Sequence, residues 1–218
     1  MAASVSNRKQ QRVSGKPPAP VVHPFQFQGD DHTLVRGMRD GHPGAFRAFY
    51  RRYVSSVYAV LLRTLGSDDE LDILIQEVFA KAFQGIHSLK NADQAKSWLS
   101  SIAVNTARDT IKQRKRSRWL RFFEPAKMPE PELEPADSSD GNADREAVAT
   151  VYRLLDQLSV DHRIAFTLRY MNEMELTEVA EACDVSLATI KRRLARAKRQ
   201  LYALAKDQPV LQRWVQYD

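Results

Sequence analysis

From about residue 43 to residue 123 the chain runs almost free of proline, and its apolar residues recur at intervals of three and four. That spacing buries one stripe of a helix, whereas a half-buried strand alternates at two. Ala45, Phe46, Phe49, Tyr53, Val57, Val60, Leu61 and Thr64 form the first stripe, ended by Gly66. Ser67-Asp68-Asp69-Glu70 then supplies a capping residue and first-turn acids for a second helix. That helix turns Leu71, Leu74, Ile75, Val78, Phe79 and Ala82 inward and stops near Gly85. The loop His87-Ser88-Leu89-Lys90-Asn91 leads to a third long helix, from about Asp93 into a run of cations.

The proline-poor stretch ends abruptly. Pro125, Pro129, Pro131 and Pro135, followed by Asp137-Ser138-Ser139-Asp140-Gly141-Asn142, have the composition of a flexible linker. Beyond it lie four helical patterns, at about 143–158, 160–171, 175–183 and 186–206. No stretch reads as a strand pair, a βαβ unit or an internal repeat. The expected fold is all-α, with two helical domains at 30–123 and 143–206 joined by an acidic linker at 124–142. A disordered basic tail of residues 1–29 precedes them, and a tail of residues 207–218 holding Trp214 and Tyr217 follows.

Charge is distributed by segment. The net charge of +6 resolves into +4 over residues 1–29, balance over 30–107, +6 over 108–123, −6 over 124–146 and +2 over 147–218. Within the last segment, Lys191–Arg199 carries six positive charges. Two basic patches separated by an acidic block point to a nucleic-acid partner.

The segment Glu175–Leu194 reads as a helix-turn-helix. Val179, Ala180 and Cys183 line the inner side of a short helix, and Asp184 stands at the turn, where a positive φ is needed. Ser186 caps a second helix whose inward stripe is Ile190, Leu194, Ala197, Leu201 and Leu204. Its other stripe is Thr189, Arg192, Arg196 and Arg199. One apolar edge and one Arg/Thr edge suit insertion into a major groove. Ser186, Ala188, Thr189 and Arg192 would meet base edges, with Lys191, Arg193 and Arg196 near phosphates. A solvated basic face on a bundle helix is the plainer reading of the cations taken alone.

The third long helix carries a second such face. Leu99, Ile102, Ala103, Ala107 and Ile111 form its core stripe. Ser97, Ser101, Asn105, Arg108, Lys112 and Lys115 share another side, at spacings of 4, 4, 3, 4 and 3. Amide and hydroxyl groups at one end and cations at the other suit a strand read at its bases and neutralised at its phosphates. Trp98 is placed either to stack on an unpaired base or to join the core.

Other functions find little support. The single cysteine, Cys183, excludes a disulfide framework, and no apolar stretch approaches the ~20 residues of a membrane span. The amino-terminal stretch lacks the apolar segment of a secretory signal. His23, His32, His42, His87 and His162 have no carboxylate or cysteine partner at a site-like spacing, and there is no Gly-rich phosphate loop. No enzyme, cofactor or metal is expected. Two rivals stay open: a stand-alone helix-turn-helix regulator with an amino-terminal sensor, and an RNA-binding protein, which would want exposed aromatic pairs.

In combination these residues resemble a sigma factor of bacterial RNA polymerase, of the small extracytoplasmic-function (ECF) group, over about residues 33–118 and 147–202. Ala45–Tyr53 resembles the opening of sigma region two, Gln76–Phe83 its polymerase-binding helix, and Trp98–Asp109 its melting and minus-ten segment. Leu158–Arg163 with the helix-turn-helix resembles region four, which reads the minus-thirty-five element. The family pattern Asp-Leu-Val-Gln-Glu is here Ile73-Leu74-Ile75-Gln76-Glu77, and Asp184 replaces the usual turn glycine.

The resemblance implies binding of core RNA polymerase, at the clamp through Asp72, Gln76, Glu77 and Phe79 and at the flap. It implies capture of a flipped base in the His87–Lys96 loop, involving Lys90, Asn91 and Lys96, and melting by the Asn105/Arg108 helix. It further implies promoter DNA as ligand, an anti-sigma factor as partner, and a cytoplasmic place of work, on the nucleoid when in holoenzyme.

Overall fold

The computed structural model describes residues 27, 29–66, 70–121 and 139–211, and all regular structure among the described residues is helical. Most of the expected basic tail and of the acidic linker, the capping run Ser67-Asp68-Asp69, and Trp214 and Tyr217 lie outside the described residues.

The first bundle opens with a helix that the three-and-four spacing did not announce, α1 (Asp31–Arg39). Asp30 caps it by accepting from the Thr33 amide at 2.8 Å, and Leu34, Val35 and Met38 are buried. α2 (Pro43–Leu65) starts with proline in its first turn, where a missing N–H costs nothing. The Tyr53 hydroxyl donates to Asp31 at 2.5 Å and Arg52 pairs with it at 2.6 Å, fixing α1 on α2. α2 ends at Gly66 with φ 92°, a left-handed conformation that a glycine takes without strain. α3 (Leu71–Gly85) and α4 (Ala95–Arg121), joined by short 3₁₀ turns at Ile86–Ser88 and Ala92–Gln94, complete the bundle. Its core is the expected one: Phe49, Leu61, Val78, Ala82, Leu99 and Ala103 are all almost fully buried.

The second bundle contains α5 (Ser139–Gln157), α6 (Val160–Phe166), α7 (Leu176–Ala182) and α8 (Leu187–Ala205). α6 runs on into a π-helical turn, Thr167–Met171, in which the Asn172 amide donates to the Thr167 carbonyl at 2.9 Å. Ala147, Leu154 and Leu211 close α5 against the last 3₁₀ turn.

The two bundles pack on each other. Ile164, Ala165, Leu168, Val179, Ala182 and Ile190 belong to the same continuous core as the first bundle's residues. Gly66 allows a close approach here as well, since a Cβ on it would stand 3.3 Å from the Tyr152 ring. Arg163, only 4% exposed, donates to the Thr64 and Leu65 carbonyls at 2.9 and 3.2 Å and pairs with Asp156. Those carbonyls are among the last four of α2, which no helical amide can satisfy. The first bundle's longest apolar helix is therefore capped by a side chain of the second.

Candidate nucleic-acid interface

α7, a turn and α8 form the helix-turn-helix. Glu175 and Glu178 make a reciprocal capping box at the start of α7, the Glu175 amide donating to the Glu178 carboxylate at 2.8 Å. Asp184 takes φ 52°, the left-handed turn conformation expected of it, and its residue type tolerates that at modest cost. Cys183 is buried beside it, which pushes its thiol up to about 11. Ser186 caps α8, accepting from the Thr189 amide at 3.3 Å, and its hydroxyl lies 3.0 Å from that of Thr189. Arg192 in turn donates to the Thr189 hydroxyl at 3.2 Å.

Ile190, Leu194 and Ala197 are buried, while Ser186, Ala188, Lys191, Arg192, Arg196 and Arg199 are exposed. This edge of α8 is therefore open and cationic. Arg193 is the exception. It was expected near phosphates, but it turns inward to pair with Asp161 at 3.1 Å and is only 20% exposed. Position 193 lies three residues beyond Ile190, which brings it round to the side that faces α6.

The polar face of α4 is split. Lys96, Asn105 and Lys112 are exposed, and Lys96 stands 3.9 Å from Glu178. Ser101 donates to the Glu181 carbonyl at 3.2 Å, and Arg108 pairs with Asp161 at 3.4 Å and bonds to Asn105. Lys115 donates to the Leu158 carbonyl at 2.7 Å, and burial lowers its pKa. Ser97 bonds back to the Gln94 carbonyl at 3.2 Å. Trp98 is half-buried and packs against the core, the second of its two open readings.

The loop that ends at α4 has a support that sequence reasoning missed. His32 of α1 meets Asp93 at 2.8 Å, and Arg39 donates to the Leu89 carbonyl. Asn91 caps the second 3₁₀ turn, accepting from the Asp93 amide at 3.1 Å, and Lys90 is exposed. Between α1 and this loop lies a cleft of about 410 Å³ lined by Arg36, Arg39, Lys90 and Asn91 among others. The signal for α1 was present in Asp30, a capping residue three positions before Thr33.

On α3, Asp72, Gln76 and Glu77 form an exposed edge with Ile73, which is 65% exposed. Glu77 pairs with Lys81 at 2.6 Å. Phe79 does not join this edge. It is 2% exposed and packs on Tyr50 and Phe49, with ring centroids 4.6 and 6.5 Å away. It lies one position past Val78 on the same inward stripe as Ile75 and Ala82, so the aromatic core claims it.

Among the described residues no cluster of three or more His, Cys, Asp or Glu is placed to hold a metal, and no helix is long and apolar enough to cross a membrane.

Comparison with known proteins agrees with this geometry. The sigma-70 region 2 family model matches residues 49–117 and the sigma-70 region 4 model matches residues 149–201. The ECF RNA polymerase sigma-E factor of Escherichia coli strain K12 is 27% identical over 195 residues, covering 84% of this chain and 97% of that protein. Its namesake in Haemophilus influenzae is 28% identical over 176 residues, covering 78% and 93%. Among solved structures, CnrH in complex with the cytosolic domain of CnrY superposes with a TM-score of 0.57 at 20% identity, covering 82% of this chain and 98% of that one. The sigma factor RpoE of Bartonella quintana, in complex with the anti-sigma factor NepR, superposes at 0.52 and 24% identity, covering 75% and 98%. Likeness at those identities speaks for the fold alone.

Proposed function

Because the chain belongs to the sigma-70 family, as a factor of the ECF group with region 2 and region 4 in order, we propose that it binds core RNA polymerase and directs promoter recognition and DNA melting. The observation that carries this reading is the open edge of α8, where Ser186, Arg192 and Arg196 stand outward, with Thr189 half-buried between them, on a helix held by α7 and a left-handed turn at Asp184. A helix so presented enters a major groove by its amino-terminal end, with Arg192 able to address a base edge and Lys191 and Arg196 the phosphates.

Region 2 supplies the other activities. Asp72, Gln76 and Glu77 on α3 meet the polymerase clamp, joined by the exposed Ile73. The cleft between α1 and the loop around Lys90 and Asn91 receives an unstacked base, whose extrusion costs a few kcal/mol that the pocket offsets. Asn105, Arg108, Lys112 and Lys115 follow the melted strand along α4. Ser97, Ser101 and Trp98 flank its start, with Lys96 beside them. Region 4 holds the upstream duplex and touches the polymerase flap. Two modest sites on one tether gain avidity only when a third body fixes their separation, so promoter specificity belongs to the holoenzyme. No catalytic group or cofactor enters this scheme, and its place is the cytoplasm, where polymerase and chromosome are. An anti-sigma factor is the expected controller, in line with the sigma factor of Bartonella quintana solved with one.

The test adds the full chain to core polymerase on sheared genomic DNA of its source and maps transcript starts by 5′-end sequencing. A set of starts sharing upstream and downstream elements is expected. Absence of core binding would sink the reading. Arg192→Ala should weaken upstream recognition by about 1–3 kcal/mol and relax specificity at the base it meets, and Arg196→Ala should weaken binding about uniformly across sequences, both leaving core binding intact. Normal promoter use by both variants would show that α8 does not dock in this way.

A further inference from the structure

α1 lies ahead of residues 49–117, which the region 2 family model matches, yet it forms one wall of the cleft that this function gives to the unstacked base. Its seat is rigid. Gly37 lets α1 lie so close to α2 that a Cβ on it would stand 2.9 Å from that of Ala45. Asp31 is held there by Tyr53 and Arg52. From that seat two side chains cross to the opposite wall. His32 meets the Asp93 carboxylate at 2.8 Å, and Arg39 donates to the Leu89 carbonyl. Among the described residues, the other hydrogen bonds of residues 89–94 join neighbours within four positions in sequence.

We propose that His32 and Arg39 are positioning residues for base capture, holding residues 89–93 at the span from α1 at which the cleft admits a single nucleobase. The proposal rests on the promoter-recognition reading above.

Asp93 passes the constraint on. Its carboxylate holds His32, and its amide donates to the Asn91 side-chain oxygen at 3.1 Å. With that oxygen committed, Asn91 has its NH2 group left for the cleft, beside the exposed Lys90. Donors placed in this way discriminate among bases by the acceptors they meet, whereas the cations of α4 address phosphates, which carry no sequence. A displaced loop therefore changes which base is preferred at one position and leaves the rest of the promoter contact as it was.

The two α1 contacts matter little to folding. The His32–Asp93 pair is exposed at both ends, and an exposed pair adds little stability. Ile86, Leu89 and Ala92 are buried, so the loop stays attached without these contacts and loses only its fixed placement. Positioning and stability can thus be told apart.

The test uses the full chain in holoenzyme, on templates in which each position of the downstream element found by transcript mapping is randomised in turn, with the transcripts sequenced. The parent should prefer one base at the captured position. His32→Ala and Arg39→Ala should each lower that preference about three- to tenfold, the size of one lost hydrogen bond. Preference at other positions and affinity for core should not change. Asp93→Ala should match His32→Ala, and the double variant should lose no more than either, because both remove the same contact. In the free chain, residues 87–94 should exchange amide hydrogens about three- to tenfold faster in His32→Ala and Arg39→Ala, while residues 49–61 keep their protection and the urea midpoint holds.

Unchanged preference in either His32→Ala or Arg39→Ala, equal loss at every downstream position, or additive loss in the double variant would each overturn the proposal. Unchanged exchange at residues 87–94 would do so as well, without any promoter. If Arg39→Ala does not fold by circular dichroism, the His32 and Asp93 variants decide. A parent that starts no transcripts would instead strike the sigma reading, and the exchange measurement would still decide whether α1 places the loop.

Discussion

Arg163→Met separates interface energy from folding energy. In the parent chain Arg163 is 4% exposed and its guanidinium reaches the Thr64 and Leu65 carbonyls and Asp156 together. Burial lowers its pKa, with Asp156 acting in the opposite direction. Methionine keeps much of the volume and removes every donor. Thr64 and Leu65 are themselves buried, at 1% and 6% exposure, so two carbonyls lose partners at about 1–3 kcal/mol each. Against that stands the recovered cost of burying a guanidinium, which can cancel much of an ion pair. Asp156 is not stranded, because its side chain is 35% exposed and Arg118 stands 3.4 Å away. The balance is a loss of about 3 kcal/mol, or about a hundredfold in the equilibrium between packed and parted bundles.

The assay is native-state hydrogen exchange followed by peptide mass spectrometry. Residues 62–66 and 160–171 should exchange about a hundredfold faster, while the middle of α2, around Phe49 to Val57, keeps its protection. Arg163→Lys should recover part of the loss, because an ammonium cannot reproduce a fork that spans three acceptors. Unchanged protection at residues 62–66 would show that the capping contact contributes nothing. Uniform loss across the chain would show that the bundles do not separate as units. Either outcome refutes the reasoning.

Two further expectations concern single sites. Ile73→Asp restores the acid of the family pattern on an exposed position of α3 and should tighten core binding a few-fold, measured by competition for core, at a small cost in helix stability from the like charge of Glu77 four residues on; unchanged affinity would mean that Ile73 had been compensated elsewhere. His162 has its pKa lowered from 6.5 by burial and then by Arg196 and Arg193, with Asp161 opposing. The unfolded chain therefore binds this proton more readily, stability falls as pH drops below about 6.5, and His162→Gln should flatten that part of the urea-midpoint profile; a parent profile already flat between pH 7 and 5 would contradict it.

Much of the fold could be read from periodicity. The stripes through Phe49–Leu61, Leu71–Ala82 and Leu99–Ile111 are core stripes in the structure, and the Ser186 cap and the left-handed Asp184 appear as expected. α1 was harder to read because nine residues hold only three large buried side chains, too few repeats to establish a period. The π turn at Thr167–Met171 has no local signal, since one extra residue per turn is tolerated where packing on α2 favours it. Phe79 lies in the core as its stripe predicts, and only the family resemblance gave it to the exposed edge of α3. Arg193 adjoins the open cationic edge of α8, and a shift of three positions round a helix decides whether a side chain meets solvent or a neighbour. The interface itself was illegible. Arg108 and Asp161 are 53 positions apart across a linker, and amphipathic spacing says which side of a helix is buried but not by what.

The bundle interface joins two kinds of contact. On α4, Ser101, Arg108 and Lys115 meet oxygen acceptors of the second bundle, and water can replace such contacts at small net cost. The apolar centre is different. Separating the bundles would expose Ile164, Ala165 and Leu168 together with the end of α2, and an apolar patch of that kind does not stay in water without cost. Most of the cost of separation therefore lies in the apolar centre and in the Arg163 cap, and a surface that parted the bundles would have to cover those residues with apolar groups of its own.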